Sequence, residues 1–230
     1  MKAQYIDHMG DDLSVVRAAK VSFADDWTVQ KYLDDTEAQK LGCRSHTALI
    51  RYLAKHNHWT PFGHTAITLR MSAPVPIRTQ CFKHKVGFVE NEESRRYISS
   101  KPELFVPKHF RLKPEGSVKQ GSGGEHPESE LWKTRYKDSC EKAIELYLYM
   151  LEEQVCPEQA RLVLPQGVEV NWYWTGSLAA YARFVNQRTD HHAQQEVQEL
   201  AQQVASIIAP LYPVSWQGIN PSTGIHKCMN

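Results

Sequence analysis

Lys83 to Tyr97 reads KHKVGFVENEESRRY: two lysines around a histidine, three glutamates, then two adjacent arginines, with few apolar residues to anchor them. From Arg78 to Tyr97 the cations Arg78, Lys83, Lys85, Arg95 and Arg96 exceed the glutamates Glu90, Glu92 and Glu93 by two. A solvated helix would show Glu–Lys pairs four residues apart, and the charges here are not arranged that way. Gly87 and Asn91 favour a loop after a short helix. Lysine, histidine, asparagine, serine and arginine together are rich in donors for a phosphate. On these residues alone, a solvated surface and an anion site weigh equally.

Three other polar clusters stand out. HNHWTPFGH carries His56, His58 and His64, and imidazoles at that spacing suit a metal. No carboxylate lies within the stretch, so a helix end with dipole-favoured histidines, followed by a Thr60 cap, is the better reading. In QARLVLP, Arg161 sits among Ala160, Leu162, Val163 and Leu164, which suits an arginine snorkelling from a buried face. RFVNQRTDHHAQQE gathers Arg183, Asn186, Arg188, Asp190, His191 and His192, and a cation-rich helix C-terminus is its commoner explanation. Neither a Walker A loop nor a G-x-G-x-x-G turn is present, so any nucleotide must be held by side chains and helix ends. A G-x-S-x-G nucleophile elbow is also missing.

These residues need a scaffold, and the composition supports one. The chain has 230 residues, 41% hydrophobic and 23% charged, which suits one globular domain spanning 1–230. A net charge of +1 gives no global attraction to nucleic acid or membrane. With no apolar leader at the N-terminus and no long apolar run, a soluble, cytoplasmic protein is expected. The five cysteines, Cys43, Cys81, Cys140, Cys156 and Cys228, are scattered and include no C-x-x-C pair, which fits a reducing compartment.

Helical spacing predicts helices over 13–20, 44–56 and 131–154, the last with a stripe through Tyr136, Cys140, Ile144, Tyr147 and Leu151. VSF reads as a turn after the first of them. Pro74 and Pro76 are expected to break the chain before a helix in IRTQCFKHK. Pro157 suits the first turn of a helix in PEQARLVL. Strands are expected over 66–73 and in VEVNWYWTG. Ser177 is placed to cap a helix running through Arg188. Val197 to Leu211 forms a last amphipathic helix, and 114–125 a surface loop. The class is mixed, helix-rich α+β.

Taken together, the clusters resemble the flavin-dependent thymidylate synthase family, the ThyX type. MGDDLSVVRAAKVSF, HNHWTPFGH, KHKVGFVENEESRRY, PEQARLVLP and QRTDHHAQQE are similar to family segments in the same order over residues 9–196. The family signature is Arg-His-Arg, seven residues, Ser, two residues, Arg. Here Lys83 and Lys85 replace its first arginines, keeping charge without the bidentate fork. Eight residues, not seven, separate Lys85 from Ser94. The resemblance implies a homotetramer with FAD, making dTMP from dUMP with methylenetetrahydrofolate as carbon donor and NADPH as reductant. It implies flavin contacts at Ser22, His58, Thr60, Lys83, His84, Lys85, Asn91, Glu92, Ser177 and Arg183. For the nucleotide it implies Gln80, Lys83, Glu92, Ser94, Arg95, Arg96, Arg161 and Arg188, with Arg188 stabilising charge on the reacting base. Ala179 stands at a position where the family often has a polar flavin contact. No metal is implied.

Three other readings compete. A metal-dependent phosphohydrolase would use His56, His58, His64, Asp190, His191 and His192. An RNA-binding module would use Arg78 to Arg96, against which the near-neutral charge and the glutamates weigh. A family relative making 5-hydroxymethyl-dUMP would share the same early chemistry.

Overall fold

The computed structural model describes residues 1–22, 29–116 and 121–220; Phe23 of the expected turn, 117–120 of the expected loop and Cys228 lie outside them. In chain order the elements are β1 (Lys2–Met9), α1 (Asp12–Lys20), α2 (Asp35–Lys40) and α3 (His46–Lys55). A 3₁₀ turn at Thr60–Gly63, β2 (Ala66–Pro74), α4 (Val75–Cys81) and β3 (Phe88–Glu92) follow. Next come α5 (Ser129–Glu152), α6 (Pro157–Ala160), a 3₁₀ turn at Arg161–Val163 and β4 (Glu169–Gly176). The series ends with α7 (Leu178–Arg188), α8 (Gln195–Ile208) and α9 (Pro213–Ile219).

Short polar side chains start the early helices by taking N–H groups of the first turn that lack partners. Asp11 and Ser14 exchange bonds in a capping box before α1, while Asp34 caps α2 and Ser45 caps α3. Ser177 accepts from the Ala180 N–H and starts α7 at the expected place.

The four strands form one antiparallel sheet in the order β1–β2–β4–β3. Alternation along β2 and β4 gives the sheet two unlike faces. Ile67, Leu69, Met71, Ala73, Val170, Trp172 and Trp174 face the core, and Arg70 and Tyr173, paired across the strands, face outward. The core face packs against Val15 and Val16 of α1, Ile50 of α3, Tyr181 and Phe184 of α7, Leu200 and Val204 of α8, and Trp216 of α9. Each fully buried aliphatic or phenylalanine side chain here contributes about 1.5–3 kcal/mol relative to exposure. The ends of the described chain are locked by a carboxylate: Asp12 accepts from the Val214 and Ser215 N–H groups at 2.9 and 2.8 Å, holding the start of α9 against α1.

The mixed α+β class stands, and several boundaries move. Residues 88–92, expected to be loop, form edge strand β3. Phe88 stacks on Trp174 with centroids 4.1 Å apart, and β4 supplies backbone partners that local sequence does not reveal. Pro76 lies inside the first turn of α4, where its missing N–H costs nothing, and does not break the chain before it. The helix stops at Cys81, so His84 and both lysines leave it. The helix expected in PEQARLVL is one α turn followed by a 3₁₀ turn that begins at Arg161. Strand β1 and helix α9 were not anticipated; KAQYIDHM is too polar to show a core face and pairs as the opposite edge.

Candidate active site

The segment after α4 is pressed onto the start of α7. Gly87 has φ +81°, and a Cβ there would approach the Ala180 Cβ to 2.9 Å, so backbone conformation and space both demand glycine. The Ser177 N–H donates to the Gly87 carbonyl at 3.2 Å, and Arg183 donates to the Val86 carbonyl. These contacts turn His84 inward. It is 7% exposed, edge-on to Phe184 with centroids 5.1 Å apart. Its Nε2 accepts from Arg188 Nε at 2.9 Å. Because a guanidinium only donates, this ring is neutral with its proton on Nδ1. Burial, then the charges of Arg188 and Arg183, push its pKa down to about 4. Arg188 also donates to the Gln80 carbonyl at 3.4 Å. Gln80, His84 and Arg188 are therefore one unit.

Two clefts gather other expected contacts, and Gln80, His84 and Arg188 line neither. The first, about 430 Å³, is lined by His58, Trp59, Val86, Ala179, Arg183 and Asn186, among others. His58 precedes the 3₁₀ turn whose Pro61 and Phe62 are buried, which leaves His58 and Thr60 exposed. Lys83 and Lys85 are exposed, with Lys85 ion-paired to Glu90. Ser22 is exposed in the turn after α1, and Asn91 is exposed on β3 opposite Tyr173. The flavin implied by the resemblance fits this cleft. Apolar and aromatic side chains offer a slab for a ring and Arg183 a cation for phosphate, while Lys83 and Lys85 lie outside the lining. Asn186 supplies a further mark: its Nδ2 donates to the Ile219 carbonyl, while its buried Oδ1 has no protein donor among the described residues. Asn186 and Trp59 were missed as site residues because nothing in their spacing separates a lining residue from an ordinary helix or loop position.

The second cleft, about 410 Å³, brings together Glu92, Ser94, Arg95 and Arg161 from the expected nucleotide set and adds Arg78 and Glu93. Arg78 Nε lies 2.9 Å from Glu92 Oε2. Burial raises the Glu92 pKa against the pull of Arg78. Glu93 accepts from Asn171 Nδ2 at 2.9 Å. Arg96 reaches Ser94 Oγ with Nε at 3.4 Å and Glu158 with NH1 at 3.4 Å, and lies over the Tyr97 ring. Arg95 donates to the Ser100 carbonyl. Arg161 is exposed. Cations with carboxylates at one mouth can hold an anion and accept from hydroxyl or N–H groups of the same ligand. Arg78 was legible as a cation of the signature region, but its pairing with Glu92 requires β3, which sequence reading lost.

The metal arrangement of six residues does not form. Among the described residues, the three-ligand grouping is Asp190, His191 and His192, all exposed, and His56, His58 and His64 do not join it.

Comparison with known proteins bears on the family and the fold. The family model described as thymidylate synthase complementing protein matches residues 4–214. A flavin-dependent thymidylate synthase of Thermosipho africanus is 34% identical over 216 residues, covering 92% of this chain and 87% of the relative. One from Thermotoga neapolitana is 32% identical over 93% of this chain and 88% of its own. Among solved structures, the UMP/dUMP methylase PolB from Streptomyces cacaoi with 5-Br dUMP superposes with a TM-score of 0.81 at 27% identity, covering 94% of this chain and 93% of that one. The same methylase with 5-Br UMP gives 0.78. A single antiparallel sheet carrying the signature on its edge, matched over nearly its whole length by these relatives, belongs to the thymidylate synthase complementing protein family, alongside the flavin-dependent thymidylate synthases.

Proposed function

We propose that this chain is a flavin-dependent thymidylate synthase that converts dUMP to dTMP, taking the carbon from methylenetetrahydrofolate and reducing equivalents from NADPH through FAD. The observation that carries the reading is the second cleft, where Arg78, Arg95 and Arg161 meet Glu92, Glu93 and Ser94 at one mouth. Such a mixture suits a nucleoside monophosphate: guanidinium groups for the phosphate, carboxylates for sugar hydroxyl or base N–H groups. Lys83, Gln80, Arg96 and Arg188 complete the nucleotide set. The flavin would sit in the first cleft, where His58 and Arg183 line the wall and Asn186 Oδ1 would accept from one of its N–H groups. Ser22, Thr60, Lys83, His84, Lys85, Asn91 and Ser177 would reach it from beyond the lining, and Glu92, which lines the second cleft, from another subunit. Bound there, reduced FAD would supply the hydride for the pyrimidine.

The protein's part is to hold and polarise. Arg188, held by neutral His84, would present a cation where electron density collects on the pyrimidine. No cysteine nucleophile is needed.

The two clefts do not merge. Val86 lines one and Glu92 the other, and the five residues of β3 between them span roughly 15 Å. A homotetramer in which one subunit's first cleft faces another's second would close the gap. No helix among the described residues is long and apolar enough to cross a membrane, and the proposed setting is the cytoplasm, with the whole chain acting as one domain.

The test is chemical. Purified protein should be yellow or bind FAD on titration, and mass spectrometry should find methylated dUMP formed from dUMP, methylenetetrahydrofolate and NADPH. UMP run beside dUMP reads the sugar preference. A hydroxymethylated product would place the chain with the relatives that add water. A protein that binds no FAD would overturn the reading.

A further inference from the structure

Gln80 is an expected nucleotide contact whose polarity sequence cannot give, because a carboxamide offers a donor at one end and an acceptor at the other. Which end faces a ligand depends on what holds the other. In this structure a chain of hydrogen bonds fixes that choice from well outside the two clefts.

The chain starts at Arg111, in the segment between β3 and α5. Its NH1 and NH2 each donate to Glu196 at 2.8 Å in a bidentate pair, and its Nε donates to Ser122 Oγ at 2.7 Å. Glu196 lies in the first turn of α8 and is 8% exposed. Although burial pushes its pKa up, hydrogen bonds from Arg111 and Gln194 outweigh that and lower it, so it is a carboxylate that only accepts. Its Oε2 also takes Gln194 Nε2 at 2.9 Å. That turns the Gln194 carbonyl the other way, where it accepts from Gln80 Nε2 at 2.6 Å. The Gln80 amide nitrogen is thus engaged, and its Oε1 meets no protein donor among the described residues. Amide orientation is normally ambiguous between N and O. Here it is settled by Glu196, a carboxylate that cannot donate, two bonds upstream.

We infer that Gln194, held by Glu196 and Arg111, is a positioning residue for nucleotide binding: it locks Gln80 so that its carbonyl oxygen, an acceptor, faces the ligand. This rests on the proposed function, in which Gln80 contacts the pyrimidine nucleotide. The ligand group it selects is a donor, an N–H or O–H, and not a second acceptor. The lock also reaches the catalytic arginine, since Arg188 donates to the backbone carbonyl of the same Gln80. Gln194 gives no side-chain cap to α8 and is exposed, so its replacement should leave the helix intact.

The experiment is a double-mutant cycle on dUMP affinity, measured by isothermal titration of FAD-loaded protein with dUMP alone, for wild type, Gln194→Leu, Gln80→Leu and the double variant. Losing one neutral hydrogen bond of this kind typically weakens binding about two- to twelvefold. Gln194→Leu should therefore weaken dUMP binding about fivefold, with melting temperature and flavin spectrum unchanged. Gln80→Leu should weaken it at least as much, and the double variant no further than Gln80→Leu. A merely structural Gln194 would lower the melting temperature or act independently of Gln80, and multiplicative effects would overturn the inference. Gln194→Leu binding dUMP like wild type would overturn it as well, while the proposed function stands. Wild-type protein that binds FAD but not dUMP would remove the nucleotide reading, and this inference with it.

Discussion

Arg188 and His84 make each other's chemistry possible. A guanidinium that must stay charged is backed by an imidazole that must stay neutral, and the 2.9 Å bond between them requires both. Arg188→Ala should fold and bind FAD, yet lose at least about a hundredfold in turnover, the scale of a missing charge-stabilising donor. Arg188→Lys should restore only part, because lysine lacks the fork and loses its proton more easily when buried. If Arg188 only capped α7, the alanine variant would cost about 1 kcal/mol of stability and little rate. The His84 pKa falls from its ordinary 6.5 to about 4 on folding, so the unfolded chain takes up that proton first as pH drops. Its contribution to stability is intact above pH 6.5 and lost as pH falls towards 4. In His84→Gln, which keeps an acceptor for Arg188 but cannot titrate, the loss of melting temperature across that window should be smaller than in wild type. Lys83 is exposed and tests charge alone: Lys83→Arg should leave FAD affinity nearly intact, and Lys83→Glu should abolish it in an equilibrium titration.

At the scale of elements, the signature depends on β3 lying flat on its neighbours. A Cβ on Gly176 would fall 2.5 Å from the Phe88 ring, and one on Gly87 would strike Ala180. Gly87→Ala should cost about 1–3 kcal/mol in urea unfolding through crowding, with backbone strain added, and should weaken FAD binding because Lys83 to Lys85 shift with the turn. Unchanged FAD affinity in a destabilised variant would mean that the flavin does not read this segment. The same contacts explain what was legible in the sequence. Amphipathic helices such as 131–154 and the alternating strands β2 and β4 declare themselves locally, since their periodicity is their burial. Strand β3 does not: Val89, Asn91 and the glutamates look like solvent residues because one face of this edge strand is solvated, and its partner is eighty or more residues away. The site divides the same way. Charged residues clustered in one segment were visible, whereas Arg78 on Glu92 and Gln194 on Gln80 arise only when distant elements meet.

For the whole molecule, a charge of +1 leaves no long-range field, so affinity for anionic ligands must come from local groups, as the two clefts provide. Light scattering should find a tetramer of this chain, and an active monomer would contradict the proposed assembly. The separation of the clefts by β3 has a genetic corollary. Two dead subunits, His58→Ala in the first cleft and Arg161→Ala in the second, should rescue one another when co-expressed. If each site takes its first cleft from one subunit and its second from another, random mixing leaves about a quarter of the sites whole. A recessive lesion in one cleft would then be complemented by an allele broken in the other, something a site contained within a single subunit can never show.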